Sequence, residues 1–271
     1  MLPEIDIFGF QLQTFGLMLA LALTCSGVLT AMRLKELGLP VDWVYEIMFC
    51  AGVGGVVGAK LWYVVERGDL GSLFSGTGLV FYGGAIGGAL AVMAYARYRG
   101  FLDYRLFDMG SYGLAIGYAV GRLGCQLAGD GDYGIPSNLP WAMSYPDGTV
   151  PTTDRVHPTP IYEFLVMSAV TWWLWSRRDK ARPGSLIGWW AVLAGTERFL
   201  VEFIRRNDDI AGPFSLAQFV SVALIVAGTW WLLRARARAQ SSTTVPSPRS
   251  SAPRKARAAA ASSSSPTPTD L

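Results

Sequence analysis

The chain has 271 residues, 51% of them apolar and only 16% charged, with a formal net charge of +3. That excess lies in the C-terminal end: residues 1–239 hold 19 basic and 19 acidic side chains, and beyond them Arg249, Arg254, Lys255 and Arg257 face Asp270 alone. A balanced body with 10 Trp and 31 Gly argues against a basic nucleic-acid domain, three cysteines in apolar stretches against a disulfide scaffold, and one histidine without Cys-x-x-Cys against structural zinc.

A bilayer core of roughly 30 Å takes about 20 consecutive apolar helical residues. Such runs occupy 11–32, 42–65, 79–96, 107–127, 160–176, 184–204 and 215–233. They predict an all-α integral membrane protein with seven transmembrane helices. A soluble helix would carry polar residues along one face, whereas Gly16 to Thr30 has no charge on any face. The first run is not a cleavable signal, because Glu4 and Asp6 precede it instead of a basic segment and it is too long. In the second run Gly52 to Lys60 has the look of a phosphate loop, but Gly-Ala-Lys replaces the required Gly-Lys-Ser/Thr. In the third, Gly83, Gly84, Gly87 and Gly88 are small residues at helical spacing, which points to close helix packing.

The fourth run ends in Gly121-Arg122-Leu123-Gly124. Its glycines either let a neighbouring backbone approach or leave room beside Arg122 for a ligand headgroup. The glycine-rich stretch that follows, Ala128 to Gly134, should leave the membrane as a loop, and Asp130 and Asp132 offer too few oxygens for a calcium loop. His157-Pro158 should open the fifth helix, with Tyr162 and Glu163 one turn further in. A lone imidazole is either a hydrogen-bonded structural group or, titrating near neutrality, a proton acceptor. On a helix continuing to residue 205, Arg198, Glu202 and Arg205 share a face. They read either as side chains snorkelling at a helix end or as a guanidinium pair open to phosphate. No internal repeat supports a transporter built from duplicated halves.

The joints set the orientation. The side holding the N-terminus carries 6 Lys and Arg and the opposite side 12, which predicts an outer N-terminus and a cytoplasmic C-terminus. Residues 1–236 form the membrane domain in this reading, and the Ser/Thr/Pro/Ala-rich segment 237–271 a disordered basic cytoplasmic tail.

Four motifs now stand in order: Ser75 to Gly88 with Gly-Leu-Val-Phe-Tyr-Gly-Gly, Gly121 to Gly124, His157-Pro158 with Tyr162-Glu163, and Arg198-Phe199 with Glu202 and Arg205. Together they resemble the prolipoprotein diacylglyceryl transferase family, over about residues 9–233. The resemblance implies a multi-pass enzyme of the bacterial inner membrane that moves the diacylglyceryl group of phosphatidylglycerol to the lipobox cysteine of a prolipoprotein signal peptide. The product is a thioether and glycerol 1-phosphate leaves. The partners are thus phosphatidylglycerol, prolipoproteins and membrane lipids, and neither metal nor organic cofactor is implied. By the same resemblance Arg122 and Arg198 hold the phosphate, Glu202 orients Arg198, and Arg205 adds to the field, while Asp130, Gly121 and Gly124 line the headgroup site. His157 and Tyr82 are the candidates for proton transfer.

The chain also departs from the family. Cys125 stands where Asn is usual, the loop after it is one residue longer so that Asp130 or Asp132 fills an acidic place, and Tyr82 stands where several members have His. Phe15, Lys60 and Ala194 also differ. A phenol with a pKa near 10 is a poor base at neutral pH. The thiol proton therefore goes to His157 or another group, or the positive field activates the thiol. Two rivals stay open: a divergent paralogue lipidating another acceptor, and a non-catalytic phospholipid-binding or transport protein.

Overall fold

A computed structural model describes residues 1–7, 10–69, 71, 80–206 and 214–243. Helices form at each of the seven apolar runs: α1 Thr14–Glu36, α2 Trp43–Arg67, α3 Phe81–Arg99, α4 Tyr104–Ala128, α5 Thr159–Arg177, α6 Ser185–Val201 and α7 Leu216–Thr243. Local chemistry sets their ends. Asp103 caps α4 by accepting from the Arg105 and Leu106 N–H groups at 2.9 and 3.2 Å. Gly129 closes the same helix with φ of +60°, a left-handed turn in which a side chain would be strained.

Three of these helices, Thr14–Glu36, Trp43–Arg67 and Leu216–Arg238, are long and apolar enough to cross a membrane. Of the remaining four, α6 is short, at 17 residues, and the others are diluted. Glycine and tyrosine interrupt α3 and α4, and Glu163, Glu197 and Arg198 lie in α5 and α6. Large apolar side chains face outward on both kinds of helix, among them Phe49 and Val53 on α2, Ile86 and Leu90 on α3, and Leu165 and Trp172 on α5. A water-soluble fold would turn such residues inward.

The small residues of α2 and α3 meet along a seam. A Cβ on Gly58 would stand 2.3 Å from the Gly83 carbonyl oxygen, and one on Gly87 would stand 2.4 Å from that of Gly54. The backbones therefore touch, which fits the packing reading of Gly83 and Gly87. The centre of the bundle is α4, packed against α1, α5 and α6. Tyr112, Ala115 and Ala119 of α4 bury themselves with Leu34, Met167, Leu174 and Leu186. At the end of α4 nearest its N-terminus, the Asp108 carboxylate accepts from the Gly184 and Leu186 N–H groups at 2.6 and 2.9 Å. One helix thereby caps the first turn of another.

The all-α expectation needs one correction. Two small antiparallel hairpins pair β1 Glu4–Ile7 with β2 Phe10–Gln13, and β3 Met143–Tyr145 with β4 Thr152–Val156. The second folds over the end of α4. Tyr133 and Tyr145 stack there at 4.8 Å, and Val156 is fully buried. Aromatic and β-branched residues in a segment read only as polar joint give it this small core. Met1–Ala235 make one compact unit and Arg236–Leu271 a second, and the expected tail beyond residue 243 lies outside the described residues.

Candidate functional site

The site forms where α4, α5 and α6 end beside the loop that follows α4. Arg122 projects from the last two turns of α4 and stacks on Tyr118 one turn earlier, its guanidinium 4.8 Å from the ring centroid. Its Nε lies against Glu163 Oε2, its Nη1 donates to Asp132, and its Nη2 donates to the Tyr118 hydroxyl at 3.1 Å. Glu163 stands in the second turn of α5, and its side chain has no exposed surface. Its other oxygen meets Arg205 Nη1 at 3.3 Å and Arg198 Nη1 at 3.5 Å, and Tyr118 donates to Oε2 at 3.1 Å. Glu163 is thus the hub on which three guanidiniums converge.

The remaining pairs close the network. Arg198 Nη2 lies 2.9 Å from Glu202 Oε2, Arg205 Nη2 donates to Asp132, and Ser215 donates to Glu202. The expected helical ladder is only partly formed. Helix α6 stops at Val201, Glu202–Ile204 make a 3-10 turn, and Arg205 is extended. The Arg205–Glu202 contact is accordingly loose, at 3.8 Å. The loop pulls this chain out of the helix: Ile135 N–H donates to the Ile204 carbonyl at 2.9 Å, and Gly134 pairs with Arg205. Gly134 permits that approach, because a Cβ there would stand 2.3 Å from the Ile204 oxygen.

Of the two loop acids, Asp132 and not Asp130 touches the arginines. Asp130 instead accepts the Asp132 N–H at 3.2 Å. Burial opposes ionisation of Asp132, but Arg122 and Arg205 outweigh it and hold the carboxyl below the usual range. Burial, and then the charge of Asp132, push Asp130 above it. Cys125 Sγ and one oxygen each of Asp130 and Asp132 lie within 4.8 Å of one another. This trio does not fit a metal, because two guanidiniums already hold Asp132 and would repel a cation beside it.

The other expected residues divide. A Cβ on Gly124 would stand 3.0 Å from Met18 Cβ, so this glycine serves the packing of α4 on α1. Gly121 has nothing within 4 Å of that position and leaves open space one residue before Arg122. His157 Nδ1 lies 3.3 Å from the Tyr162 hydroxyl, and that hydroxyl accepts from Trp141 Nε1 at 2.7 Å. Its backbone pairs with Gly134 and Ile135, so its described contacts are with Tyr162 and the loop. Tyr82 is half exposed in the first turn of α3, the helix packed on α2, and residues 75–79 of its motif lie outside the described residues.

Sequence reasoning gave no site role to Glu163 or Tyr118, and left the acidic place after Cys125 open between Asp130 and Asp132. One signal was available for Glu163: it is the sole charged residue between 160 and 176, and an acid in an apolar run marks an interior polar partner. Chemically, three converging guanidiniums make an anion receptor. Arg198 and Asp132 are its more open members, with 22% and 30% side-chain exposure, so an anion from outside would meet them first.

The family model described as prolipoprotein diacylglyceryl transferase matches residues 4–234. Among similar curated proteins, a phosphatidylglycerol–prolipoprotein diacylglyceryl transferase of Clostridium tetani is 28% identical, covering 82% of this chain and 93% of its own. One from Finegoldia magna is 29% identical over 82% and 91% of the two chains. One from Methylobacillus flagellatus is 31% identical over 69% and 76%.

Proposed function

The chain belongs to the prolipoprotein diacylglyceryl transferase family, and we propose on that footing that it transfers diacylglycerol from phosphatidylglycerol to the lipobox cysteine of prolipoproteins. The observation that carries this reading is the convergence of Arg122, Arg198 and Arg205 on one buried carboxylate, Glu163. In the proposed reaction a phosphodiester enters from the Arg198 side and takes the place of Asp132. The Arg122 and Arg205 guanidiniums that Asp132 gives up then hold its oxygens, with Arg198 on the side of entry. The cysteine sulfur attacks the glyceryl carbon, the carbon–oxygen bond breaks, and the electron pair moves onto the phosphate. The guanidiniums stabilise the charge that gathers there, which is where fixed donors accelerate such a step most. Glu163 and Glu202 keep the forks aimed, and Gly121 leaves room for the headgroup.

Seven spans with the N-terminus outside and the C-terminus cytoplasmic complete the reading, in the bacterial inner membrane. The outward apolar side chains of α2, α3 and α5 and the basic joints support it. The arginine cluster then lies near the outer surface, where lipid headgroups and exported signal peptides meet.

The test incubates the purified protein with phosphatidylglycerol and a lipobox peptide and weighs the peptide. A diacylglyceryl mass gain that vanishes with a Cys→Ser peptide is the expected result. No gain beside an active relative would overturn the reading. Tyr82 and Cys125 would then favour a paralogue with another acceptor, and retained lipid binding alone a non-catalytic role.

A further inference from the structure

One acid of the site is left over by this mechanism. Glu197 precedes Arg198 on α6 and is only 8% exposed, and its Oε2 has no hydrogen-bond partner. It lies within electrostatic reach of Glu163 on α5, Arg122 on α4, and Arg198 and Arg205 on its own segment. Tyr118 of α4 also faces it, and α7 offers no ionisable side chain over Leu216–Leu233. The charges around it are already matched, three guanidiniums by Asp132, Glu163 and Glu202. A further carboxylate would be buried with no cation of its own, which is costly, whereas a carboxylic acid avoids that cost. A protonated Glu197 would place a proton within electrostatic reach of Arg122, Arg198 and Arg205.

We propose that Glu197 is the general acid that protonates the departing phosphate, an inference that rests on the transferase reading. The sulfur–carbon bond forms, the carbon–oxygen bond breaks, and the electron pair stays on the phosphate oxygen. Glu197 gives its proton to that phosphate, so glycerol phosphate leaves as a monoanion. The thiol gives its proton to water as it attacks, and water returns a proton to Glu197 once the phosphate has taken the first, so the count closes. The need is physical. A phosphate monoester has a second pKa of about 6, so without a donor it leaves as a dianion among three carboxylates.

The experiment measures transfer from phosphatidylglycerol to a lipobox peptide by the full chain and its Glu197→Gln and Glu197→Asp variants across pH. It is repeated with a donor lipid carrying sulfur in place of the bridging oxygen, whose thiophosphate leaves without a proton. Glu197→Gln should lower kcat by about a hundredfold with KM unchanged, and Glu197→Asp should recover part of the loss. The alkaline fall of kcat in the wild type should disappear with the sulfur-bridged donor, and the penalty of Glu197→Gln should shrink below about tenfold. Equal penalties on both donors, or a kcat for Glu197→Gln matching the wild type, would overturn the assignment while leaving the transferase intact. A wild type inactive on both donors would instead bring down the transferase reading, and this one with it.

Discussion

Replacing Glu163 by Gln keeps the shape of the hub and removes its charge. The side chain is fully buried and meets Arg122 directly, Arg205 at 3.3 Å and Arg198 at 3.5 Å. At an effective dielectric near 20 each such contact is worth about 4 kcal/mol of gross attraction. The desolvation of the carboxylate offsets much of that gross sum, and removing one partner of a buried pair costs about 3–5 kcal/mol net. For a unit of this size about 2–4 °C is lost per kcal/mol, so the unfolding midpoint should fall by about 6–20 °C. The 10 Trp residues allow the melt to be followed by intrinsic fluorescence in detergent. Phosphatidylglycerol should restore part of the loss, because its phosphate supplies the missing negative charge. At a hundred times Kd a ligand contributes about 2.7 kcal/mol. A midpoint within about 2 °C of the wild type would refute the hub reasoning.

Arg122→Ala and Arg198→Ala should each lower peptide lipidation by at least about a hundredfold, and Lys at either position should recover only part because it lacks the planar fork. Near-normal mass gain in both alanine variants would remove the arginines from the reaction. Asp132 ionises more readily folded than unfolded. The stability from its pairs is therefore complete above the ordinary aspartate pKa of about 3.9 and drains away as pH falls through its lower folded value. Melts of Asp132→Asn should lack that acid-side decline while losing stability at neutral pH. Gly58→Ala should cost about 1–3 kcal/mol and lower the midpoint, since its Cβ would stand 2.3 Å from a carbonyl oxygen; Gly52→Ala, with nothing within 4 Å, should leave it unchanged.

The helices were legible because apolar run length is a strong signal, and each run became a helix with ends shifted by a few residues, except that α7 continues ten residues past its run, to Thr243, into the segment expected to be tail. Arg122, Arg198 and Glu202 could be picked out as candidates because charge in such a run is conspicuous, and the structure places them in one network. The path of Arg205 was not, because the end of α6 is decided by a loop about seventy residues earlier in the chain, through Gly134 and Ile135. The choice between Asp130 and Asp132 was hidden for a similar reason. They are two residues apart in a glycine-rich loop, and only the folded path shows which one faces the arginines. Gly121 and Gly124 show how one motif can split between two jobs, one open beside the site and the other pressed on Met18.

The Asp108 clamp ties α4 to the first turn of α6, and the two helices carry Arg122 and Arg198 at their opposite ends. Asp108 to Arg122 and Leu186 to Arg198 each span about 20 Å of helix at 1.5 Å per residue. In geometry the pair resembles tongs joined at Asp108. Opening them by about 5° moves the guanidinium ends apart by nearly 2 Å, about the difference between a closed ion pair and a gap that admits a phosphate oxygen. A small change of angle at the Asp108 contact would therefore change the spacing of the two arginines at the far end of both helices.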